Sequence, residues 1–373
     1  MKAHRAYELE TPNCDLLPLF SALRPRQLHL ESVLAGHSSG RVFVDRIERP
    51  TAAVLVAGEG CYVGGSSPTV ALLGAINSLL PRDRYTAVFF PPDLPTPALD
   101  AVADGLYMRR AVRWHGRLET PPPEVEGRRD GIAVRPVDRE VLESDLVGVD
   151  DLRETILCEW KTLSLFHKLG FGSIAVIDGR IVARSTCDYV ADGASEIGVW
   201  VDDDFRLRGL GTAVATATAR QAFSRNLREV GWHCWANNAG SLGVAANVGF
   251  EPTGRYEILF NHWAAETVED MSPDEYRAFA LDYERRFAER PPRESGYPYV
   301  VAATAWAGAG DGEKCRKNIR AAMDMGWLRE IAQLQALWPE LLQSGRVWEN
   351  PAWCELLVRL EPEHGASPPT ADS

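Results

Sequence analysis

Between residues 131 and 263, apolar positions alternate with polar ones in short runs that predict strands separated by helical stretches. A helix is expected over 152–169, a long one after Val201 and a short one after Asn237. The dipeptide Asp178-Gly179 separates two alternating runs and is typical of a tight hairpin turn. The strand runs are "IAVRPV", "GSIAVID", "RIVARSTCDYV", "SEIGVWV", "GWHCWAN" and "GRYEILFNHW".

The segments on either side have different patterns. Upstream, "RVFVDRI", "AAVLVAG" and "YTAVFF" predict strands, and "SSPTVALLGAINSLL" and "ALDAVADGL" predict helices, which together make a smaller α/β unit. Downstream, "SPDEYRAFALDYERRFAE" begins as helices do, with Ser-Pro followed by acids. Residues 297–327 read as two helices joined by a Gly/Asp turn, similar to one tetratricopeptide-like hairpin.

These patterns divide the chain into an N-terminal α/β domain (1–118), a linker (119–130), a central α/β domain (131–262), a helical domain (263–360) and a tail (361–373). The linker contains three consecutive prolines among charges, which break regular structure. The tail is rich in Pro, Gly, Ser and charge and offers little to bury.

Composition narrows the class of protein. Of the 373 residues, 45% are hydrophobic and 25% charged, which is typical of a globular chain. The formal charge of -12 argues against a nucleic-acid partner and favours cationic small molecules. Seven scattered cysteines without a close pair suggest neither a disulfide framework nor a metal site, and no apolar run reaches membrane-spanning length. We therefore expect a cytoplasmic protein without a membrane partner; its oligomeric state is open.

A glycine turn joins the run "SEIGVWV" to the long helix, in "VWVDDDFRLRGLGTAVATATARQAF". Glycines at a helix N-terminus expose backbone N–H groups, which together with the helix dipole suit a phosphate. The stretch lacks the Lys-Ser/Thr of a Walker A loop and the third glycine of a dinucleotide turn. By itself the glycine pair is equally consistent with a plain structural turn.

Two motifs together extend this reading. Arg206-x-x-Gly209-x-Gly211 resembles the pyrophosphate loop of the GNAT superfamily of acyl-CoA N-acyltransferases. Downstream, "NNAGSLGVAANVGFEP" is similar to the family's N-x-x-S/A…GF element. The resemblance implies an α/β (α+β) GNAT fold with a splayed mixed sheet over about 131–262. A further hypothesis is that the N-terminal unit is a degenerate GNAT-like lobe.

The resemblance also implies acetyl-CoA (acyl-CoA) as co-substrate, with no metal. Acyl-CoA would lie where the family's fourth and fifth strands splay apart, its pantetheine against the backbone of the fourth strand and its pyrophosphate on the loop amides. The residues that the family pattern matches for acyl-CoA binding are Val199, Trp200, Val201, Arg206, Leu207, Arg208, Gly209, Leu210, Gly211, Thr212, Asn238 and Ser241. Core packing or solvated loop charges would explain several of them equally well.

Transfer to an amine needs a base to remove its proton. Glu196, in the fourth strand, matches the position at which several GNAT enzymes carry a general-base glutamate; a surface carboxylate is the alternative. The tyrosine that often protonates the leaving thiolate has no equivalent, because its place falls near Ala245. Ser241, Cys234 and Tyr256 are the substitutes considered, each with a structural role as the alternative. His233 and Cys234 are adjacent in a strand and point to opposite faces, so direct transfer is favoured over a covalent intermediate.

The leading hypothesis is an N-acetyltransferase that acts on a primary amine of a small molecule in a ternary complex, in bacterial secondary metabolism or resistance. Two alternatives remain: a GNAT enzyme acting on a protein or aminoacyl amine, and a non-catalytic acyl-CoA-binding or scaffolding protein. The glycine loop argues for acyl-CoA binding, whereas the missing tyrosine weakens the case for catalysis.

Overall fold

The computed structural model describes residues 6–58, 60–65, 80, 86–95, 97, 99–100, 102, 107–123, 132–262, 271–289, 291–292 and 295–325. The described residues up to Phe260 belong to one compact unit, and those from Asn261 onward belong to a second. Most of the helix expected over 66–80 and of that over 98–106, all of the tail, and most of the linker lie outside the described residues.

Within the first unit, twelve described strands form one mixed sheet. Their bounds are β1 Tyr7–Leu9, β2 Arg41–Val44, β3 Ala52–Ala57, β4 Gly60–Gly65, β5 Ala87–Phe89, β6 Arg109–Leu118, β7 Ala133–Pro136, β8 Gly172–Ile177, β9 Arg180–Ala191, β10 Ala194–Val201, β11 Glu229–Trp235 and β12 Glu251–Phe260. The order across the sheet is β1-β2-β3-β4-β5-β12-β6-β11-β10-β9-β8-β7.

The sheet repeats one pattern in two lobes. In the first lobe, β1 to β4 pair antiparallel in sequence and β4 then pairs parallel with β5. The second lobe does the same with β7 to β10 and then β11. The two lobes thus share one strand topology, and the identity of the N-terminal unit as a degenerate GNAT-like lobe stays a prediction.

The last strand of each lobe is exchanged. β6 follows the first lobe in sequence but pairs with β11 of the second, and β12 follows the second lobe but pairs with β5 of the first. β6 and β12 also pair with each other at the centre. The two lobes therefore share one continuous sheet, in which each lobe is completed by a strand of the other.

The described helices of the first unit lie in the connections between strands. Their bounds are α1 Leu28–Leu34, α2 Arg139–Leu142, α3 Val149–Glu159, α4 Leu163–Leu169, α5 Leu210–Ser224 and α6 Ala239–Val248, with 3-10 turns at Cys14–Phe20 and Asp203–Phe205. The prediction of a single helix over 152–169 is wrong, because two helices, α3 and α4, cover this stretch. Trp160 is extended (φ -103, ψ 136), and Thr162 caps a new helix by accepting a hydrogen bond from the Leu165 amide.

Helix α5 packs its small residues against the middle of the second lobe. Ala215, Thr218, Ala219 and Ala222 are all completely or almost completely buried, and the Thr218 hydroxyl donates to the Ser185 carbonyl at 3.1 Å. Short side chains let the helix backbone lie close to the sheet. This packing fixes the N-terminus of α5 beside the end of β10.

The described part of the second unit is helical, as its sequence pattern predicts, and residues 326–360 of the predicted helical domain lie outside the described residues. Its described helices are α7 Pro273–Glu289, α8 Tyr297–Gly308 and α9 Gly312–Asp324. α8 is buried along nearly its whole length, and its Trp306 indole donates to Glu284 of α7 at 3.2 Å. The Asp311 side chain caps α9 by accepting from the Lys314 amide.

Candidate active site

The parallel pair β10–β11 opens into a cleft. The two strands are paired from Ala194↔Glu229 to Glu196↔Gly231. Beyond that point β10 continues to Val201 paired with β9, while β11 continues to Trp235 paired with β6. The strands therefore diverge from each other directly after Glu196, which lies at the vertex of the splay.

Glu196 is recessed at this vertex but still reaches solvent, with 13% of its side chain exposed. Its Oε1 lies 2.9 Å from Nε2 of His233. A Cβ at Gly231 would approach the Glu196 Cγ to 3.1 Å and the His115 Nε2 to 3.5 Å. The glycine thus leaves the space that the carboxylate and the neighbouring imidazole occupy.

His233 connects Glu196 to Tyr256. Its Nδ1 lies 2.7 Å from the Tyr256 hydroxyl, and its ring packs on His115 with centroids 4.4 Å apart. His233, His115 and Tyr256 come from three neighbouring strands, because β6 stands between β11 and β12. The strand exchange therefore supplies His115 to the cleft of the second lobe.

The charges in the cleft are set by burial and by the imidazoles. Burial opposes ionisation of Glu196, but the neighbouring imidazoles of His233, His115 and His29 together outweigh it, so the pKa of Glu196 lies below the usual value. Burial lowers the pKa of His115 to about 3 and that of His29 to about 4. At neutral pH Glu196 is thus a carboxylate beside two uncharged imidazoles.

The first lobe supplies a second wall. His29 Nδ1 lies 3.0 Å from the Tyr62 hydroxyl, and its ring stacks on Tyr189 of β9 with centroids 4.4 Å apart. Tyr62 is stacked in turn on Phe89 of β5. Tyr62↔Phe89 is the last described pair of β4 and β5, as Glu196↔Gly231 is of β10 and β11. An aromatic residue thus stands in the first lobe where Glu196 stands in the second.

Two further carboxylates lie close to Glu196. The Tyr189 hydroxyl donates to Glu159, and the Thr186 hydroxyl donates to Asp188 at 3.1 Å. A Cβ at position 198 would come within 2.6 Å of Asp188 Oδ2, so the glycine there lets this carboxylate lie over β10. Burial and the neighbouring negative charges raise the pKa of both Glu159 and Asp188.

The glycine loop precedes α5. Leu207 and Gly209 have positive φ (59 and 76), Gly209 is the N-cap, and no side chain caps the helix. Arg206 pairs with Asp203 at 2.6 Å, whereas Arg208 donates to the Asp204 carbonyl at 3.0 Å. The loop thus carries two exposed arginines directly before a helix N-terminus that has no side-chain cap.

Most of the remaining predicted acyl-CoA-binding residues have structural contacts. Val199 packs with Leu210 and Val214, and Gly211 is close-packed: a Cβ there would lie 3.2 Å from Val201. Trp200 is 38% exposed and lies under the Arg184 guanidinium. The side chain of Leu207 is fully exposed, and Thr212 is half-buried. Their proposed roles toward acyl-CoA stay predictions.

The last two predicted acyl-CoA-binding residues, Asn238 and Ser241, lie at the start of the short helix α6. Asn238 caps it by accepting from the Ser241 amide at 2.8 Å, and the Ser241 hydroxyl accepts from the Trp232 indole at 3.0 Å. Trp232 and His233 are consecutive in β11, so their side chains lie on opposite faces of the sheet. The structure joins Glu196 and Tyr256 through His233, and Ser241 is not part of that chain of contacts.

Sequence reasoning missed His233 as a partner of Glu196. It considered this residue only together with Cys234, which is buried in the core beneath β11. The available signal was spacing: His233 stands two positions after Gly231, on the same face of the strand. The motif alone did not reveal that Gly231 lies opposite Glu196.

Two kinds of feature are absent from the described residues. None of the helices that the structure describes combines the length and apolarity needed to cross a membrane. In the same part of the chain, His, Cys, Asp and Glu side chains form no group of three or more suited to hold a metal ion.

Known proteins resemble the chain at the level of fold and family. A structure of a GCN5-related N-acetyltransferase-like protein from Streptococcus suis 89/1591 has 19% identity and a TM-score of 0.51, over 66% of this chain and 96% of that one. The structure of a tandem GNAT protein from the clavulanic acid biosynthesis pathway has 14% identity and a TM-score of 0.44, and the match covers 69% of this chain and 98% of that one. A search of curated proteins gave no significant sequence match.

The Streptococcus suis structure confirms the fold class that the sequence predicts, an α/β fold with a splayed mixed sheet. The model of the family described as GNAT acetyltransferase matches residues 19–259, which is more than half of the chain and includes both lobes. The chain therefore belongs to the GNAT acetyltransferase family.

Proposed function

We propose that the protein is an N-acetyltransferase that moves an acetyl group from acetyl-CoA to a primary amine of a small molecule, with Glu196 as general base. The observation that carries this proposal is the position of Glu196. It is the last residue of β10 paired with β11, so its carboxylate lies where the splay between the strands begins. An acyl group bound in that splay would lie beside a recessed, ionised acceptor of protons.

The described residues fit acetyl-CoA. Past Glu196, β10 pairs with β9 and no longer with β11, so its backbone can pair with the amides of an extended ligand. The turn at Gly209 and the N-terminus of α5 offer amide groups and the positive end of a helix dipole to a pyrophosphate. Arg206 and Arg208 stand beside that turn. When bound, acetyl-CoA supplies a thioester and a thiolate leaving group.

Three recessed acidic side chains support an amine as the acceptor. Glu196 lies close enough to raise the pKa of both Glu159 and Asp188, and Glu159 also raises that of Asp188. Such mutual repulsion is relieved when a cation enters, and primary amines are cations at neutral pH. Glu196 would take the ammonium proton, directly or through water, and the neutral amine would then attack the thioester carbonyl.

The enclosure of Glu196 supports a small acceptor over a protein surface. Its side chain is 13% exposed, and its charge acts on His29 and Tyr62 of the first lobe. Both of those residues are buried. An acceptor must therefore enter a recess with walls from both lobes, and a compact molecule does so without displacing either wall.

Glu196→Gln tests the proposal. A panel of primary amines is incubated with acetyl-CoA, release of the CoA thiol is followed with a thiol reagent, and products are identified by mass spectrometry. We expect kcat to fall about 10²- to 10⁴-fold while acetyl-CoA affinity, measured by calorimetry, stays near wild type. Glu251→Gln, an exposed carboxylate on β12, is the matched control and should retain turnover.

Two outcomes would contradict the proposal. Wild-type turnover in Glu196→Gln would remove this residue from the chemistry. Tight binding of acetyl-CoA by the wild-type protein, with no thiol release for any amine in the panel, would favour the non-catalytic acyl-CoA-binding alternative.

A further inference from the structure

A second carboxylate lies two strand positions beyond Glu196. Gly198 follows Glu196 on the same face of β10, and two residues of a strand span about 6.6 Å. A Cβ at Gly198 would come within 2.6 Å of Asp188 Oδ2, so the Asp188 carboxylate covers that glycine. This face of β10 therefore carries one carboxylate at Glu196 and another above Gly198.

Helix α3 brings a third carboxylate to the same face. Tyr189 of β9 is paired with Glu196 of β10, so the two side chains lie on one side of the sheet. The Tyr189 hydroxyl donates to Glu159, the last residue of α3. The charges of Glu159 and Glu196 both act on Asp188. The three carboxylates thus lie around the space between α3 and this face of β10.

The protein supplies no ion-pair partner for two of these groups. Within the part of the chain that the structure describes, Asp188 and Glu159 form no ion pair with a Lys, Arg or His side chain. The charge of Arg184 acts on Asp188 from a distance, but its guanidinium lies 4.6 Å over the Trp200 ring and donates to the Thr155 hydroxyl. A cation that enters from solvent would relieve the repulsion among the carboxylates.

A buried nitrogen beside Glu196 independently marks this space as a binding site. Among the described residues, Nε2 of His233 has no hydrogen-bond partner, although it lies 2.9 Å from the Glu196 Oε1 and the side chain is only 9% exposed. Buried polar atoms of this kind are usually satisfied by water or by a bound molecule. A molecule that binds against Glu196 lies within reach of this nitrogen.

We propose that the acceptor is a linear diamine, whose reacting nitrogen lies at Glu196 while its second ammonium group is bound by Asp188. The inference rests on the proposed function and names the class of amine. The two nitrogens of 1,4-diaminobutane are joined by five bonds of about 1.5 Å, so the extended chain spans about 6 Å. That length matches the two-residue step along β10 from Glu196 to Gly198.

Only one of the two nitrogens takes part in the transfer. Glu196 takes the proton of the reacting ammonium group, the C–N bond forms at the thioester carbonyl carbon, and the C–S bond breaks as the CoA thiolate leaves. The other nitrogen stays protonated against Asp188, and Glu159 adds negative charge nearby. The product therefore holds one cation where the substrate held two.

The test compares 1,4-diaminobutane with 1-aminobutane, which has the same carbon chain and no second nitrogen. The kcat/KM for each amine is measured with acetyl-CoA by release of the CoA thiol. We expect the wild type to prefer the diamine by about 10- to 100-fold, the worth of hydrogen bonds to a charged group. Asp188→Asn should bring that ratio close to one. Glu154→Gln removes an exposed carboxylate of α3 and should keep the wild-type ratio.

Chain length gives a second measurement, made on the wild-type protein. In a series of diamines from two to six carbons, kcat/KM should be highest at four carbons and fall at both ends. Gly198→Ala places a methyl group where the Asp188 carboxylate lies, so it should lower the preference for the diamine without removing a charge. The length series stays decisive even if Asp188→Asn does not fold.

Equal kcat/KM for the diamine and the monoamine in the wild type, or an unchanged ratio in folded Asp188→Asn, would overturn the inference. A preference that does not depend on chain length would also overturn it. Failure of the proposed function would look different, because no amine would then be acetylated. Calorimetry on the wild-type protein would in that case still show tighter binding of 1,4-diaminobutane than of 1-aminobutane, and Asp188→Asn would remove the difference.

Discussion

Replacing His29 with glutamine should make the protein more resistant to acid. His29 lies on α1 in contact with the Tyr62 hydroxyl and the ring of Tyr189. Burial lowers its pKa from 6.5 to about 4, although the negative charge of Glu196 acts in the opposite direction. As the pH falls below 6.5, His29 therefore binds a proton in the unfolded chain while it stays unprotonated in the folded protein.

The size of the effect follows from that difference. Each pKa unit between the folded and unfolded states corresponds to about 1.4 kcal/mol, so His29 lowers the free energy of unfolding by about 3 kcal/mol once the pH is below both values. The loss begins near pH 6.5 and levels off near pH 4, because the folded form is then protonated as well. Between pH 7.5 and pH 4.5, His29 should lower the free energy of unfolding by about 2.5 kcal/mol.

Urea unfolding followed by tryptophan fluorescence at these two pH values gives the measurement. The free energy of unfolding should fall by about 2.5 kcal/mol more in the wild type than in His29→Gln, whatever other groups contribute to both. Tyr62→Phe is the control, since it removes the partner hydroxyl but keeps the imidazole and should retain the wild-type acid loss. Equal acid losses in the wild type and His29→Gln would refute the reasoning.

The remaining predictions concern the loop and the shared sheet. Gly209→Val should abolish the protection that acetyl-CoA gives against heating, because a side chain at φ 76 is strained and blocks the loop amides. Gly179→Val has nearly the same φ (77) in an open hairpin turn and should keep that protection. Gly211→Val should also weaken binding, by crowding the end of β10. If both loop variants bind acetyl-CoA like the wild type, the loop assignment is wrong. Deletion of residues 1–118 removes β6 and should make the rest insoluble, so an active fragment 131–262 would contradict the need for the exchange.

Local patterns predicted the part of the fold that carries the candidate site. The strand run ending at Val201, the glycine turn and the helix from Leu210 are each encoded by neighbouring residues. The turn at Asp178-Gly179 also forms as expected, with φ of 48 and 77. Alternation, turn chemistry and helical propensity are short-range properties, which is why one sequence sufficed for these elements.

Besides the three-residue strand β1, sequence reasoning missed β4 and β6, and both for physical reasons. β4 contains three glycines at positions 60, 64 and 65, and such a composition suggests a turn. β6 carries four arginines, so it does not show the apolar alternation of a strand with one buried face. Strand partners in a sheet are set by contacts distant in sequence, and no local pattern shows that β6 inserts between β11 and β12.

The place of Glu196 in an apolar strand was enough to predict it as a candidate base. The residues that surround it could not be predicted in the same way. His115, His29 and Tyr62 come from segments more than 75 residues away in the chain. Their approach depends on the exchange of β6 and on the packing of α1, so only the three-dimensional structure places them beside the carboxylate.

The exchange of β6 and β12 sets the order of events on the ribosome. When Leu118 emerges, β5 and β6 both lack the strand that lies between them, because β12 ends at Phe260. At typical synthesis rates of about 5–20 residues per second, that strand follows only after roughly 7 to 28 s. Throughout this interval the nascent first lobe exposes unpaired strand edges, which are sites of aggregation. Production of the protein should therefore depend on chaperones that shield the nascent chain until β12 is complete.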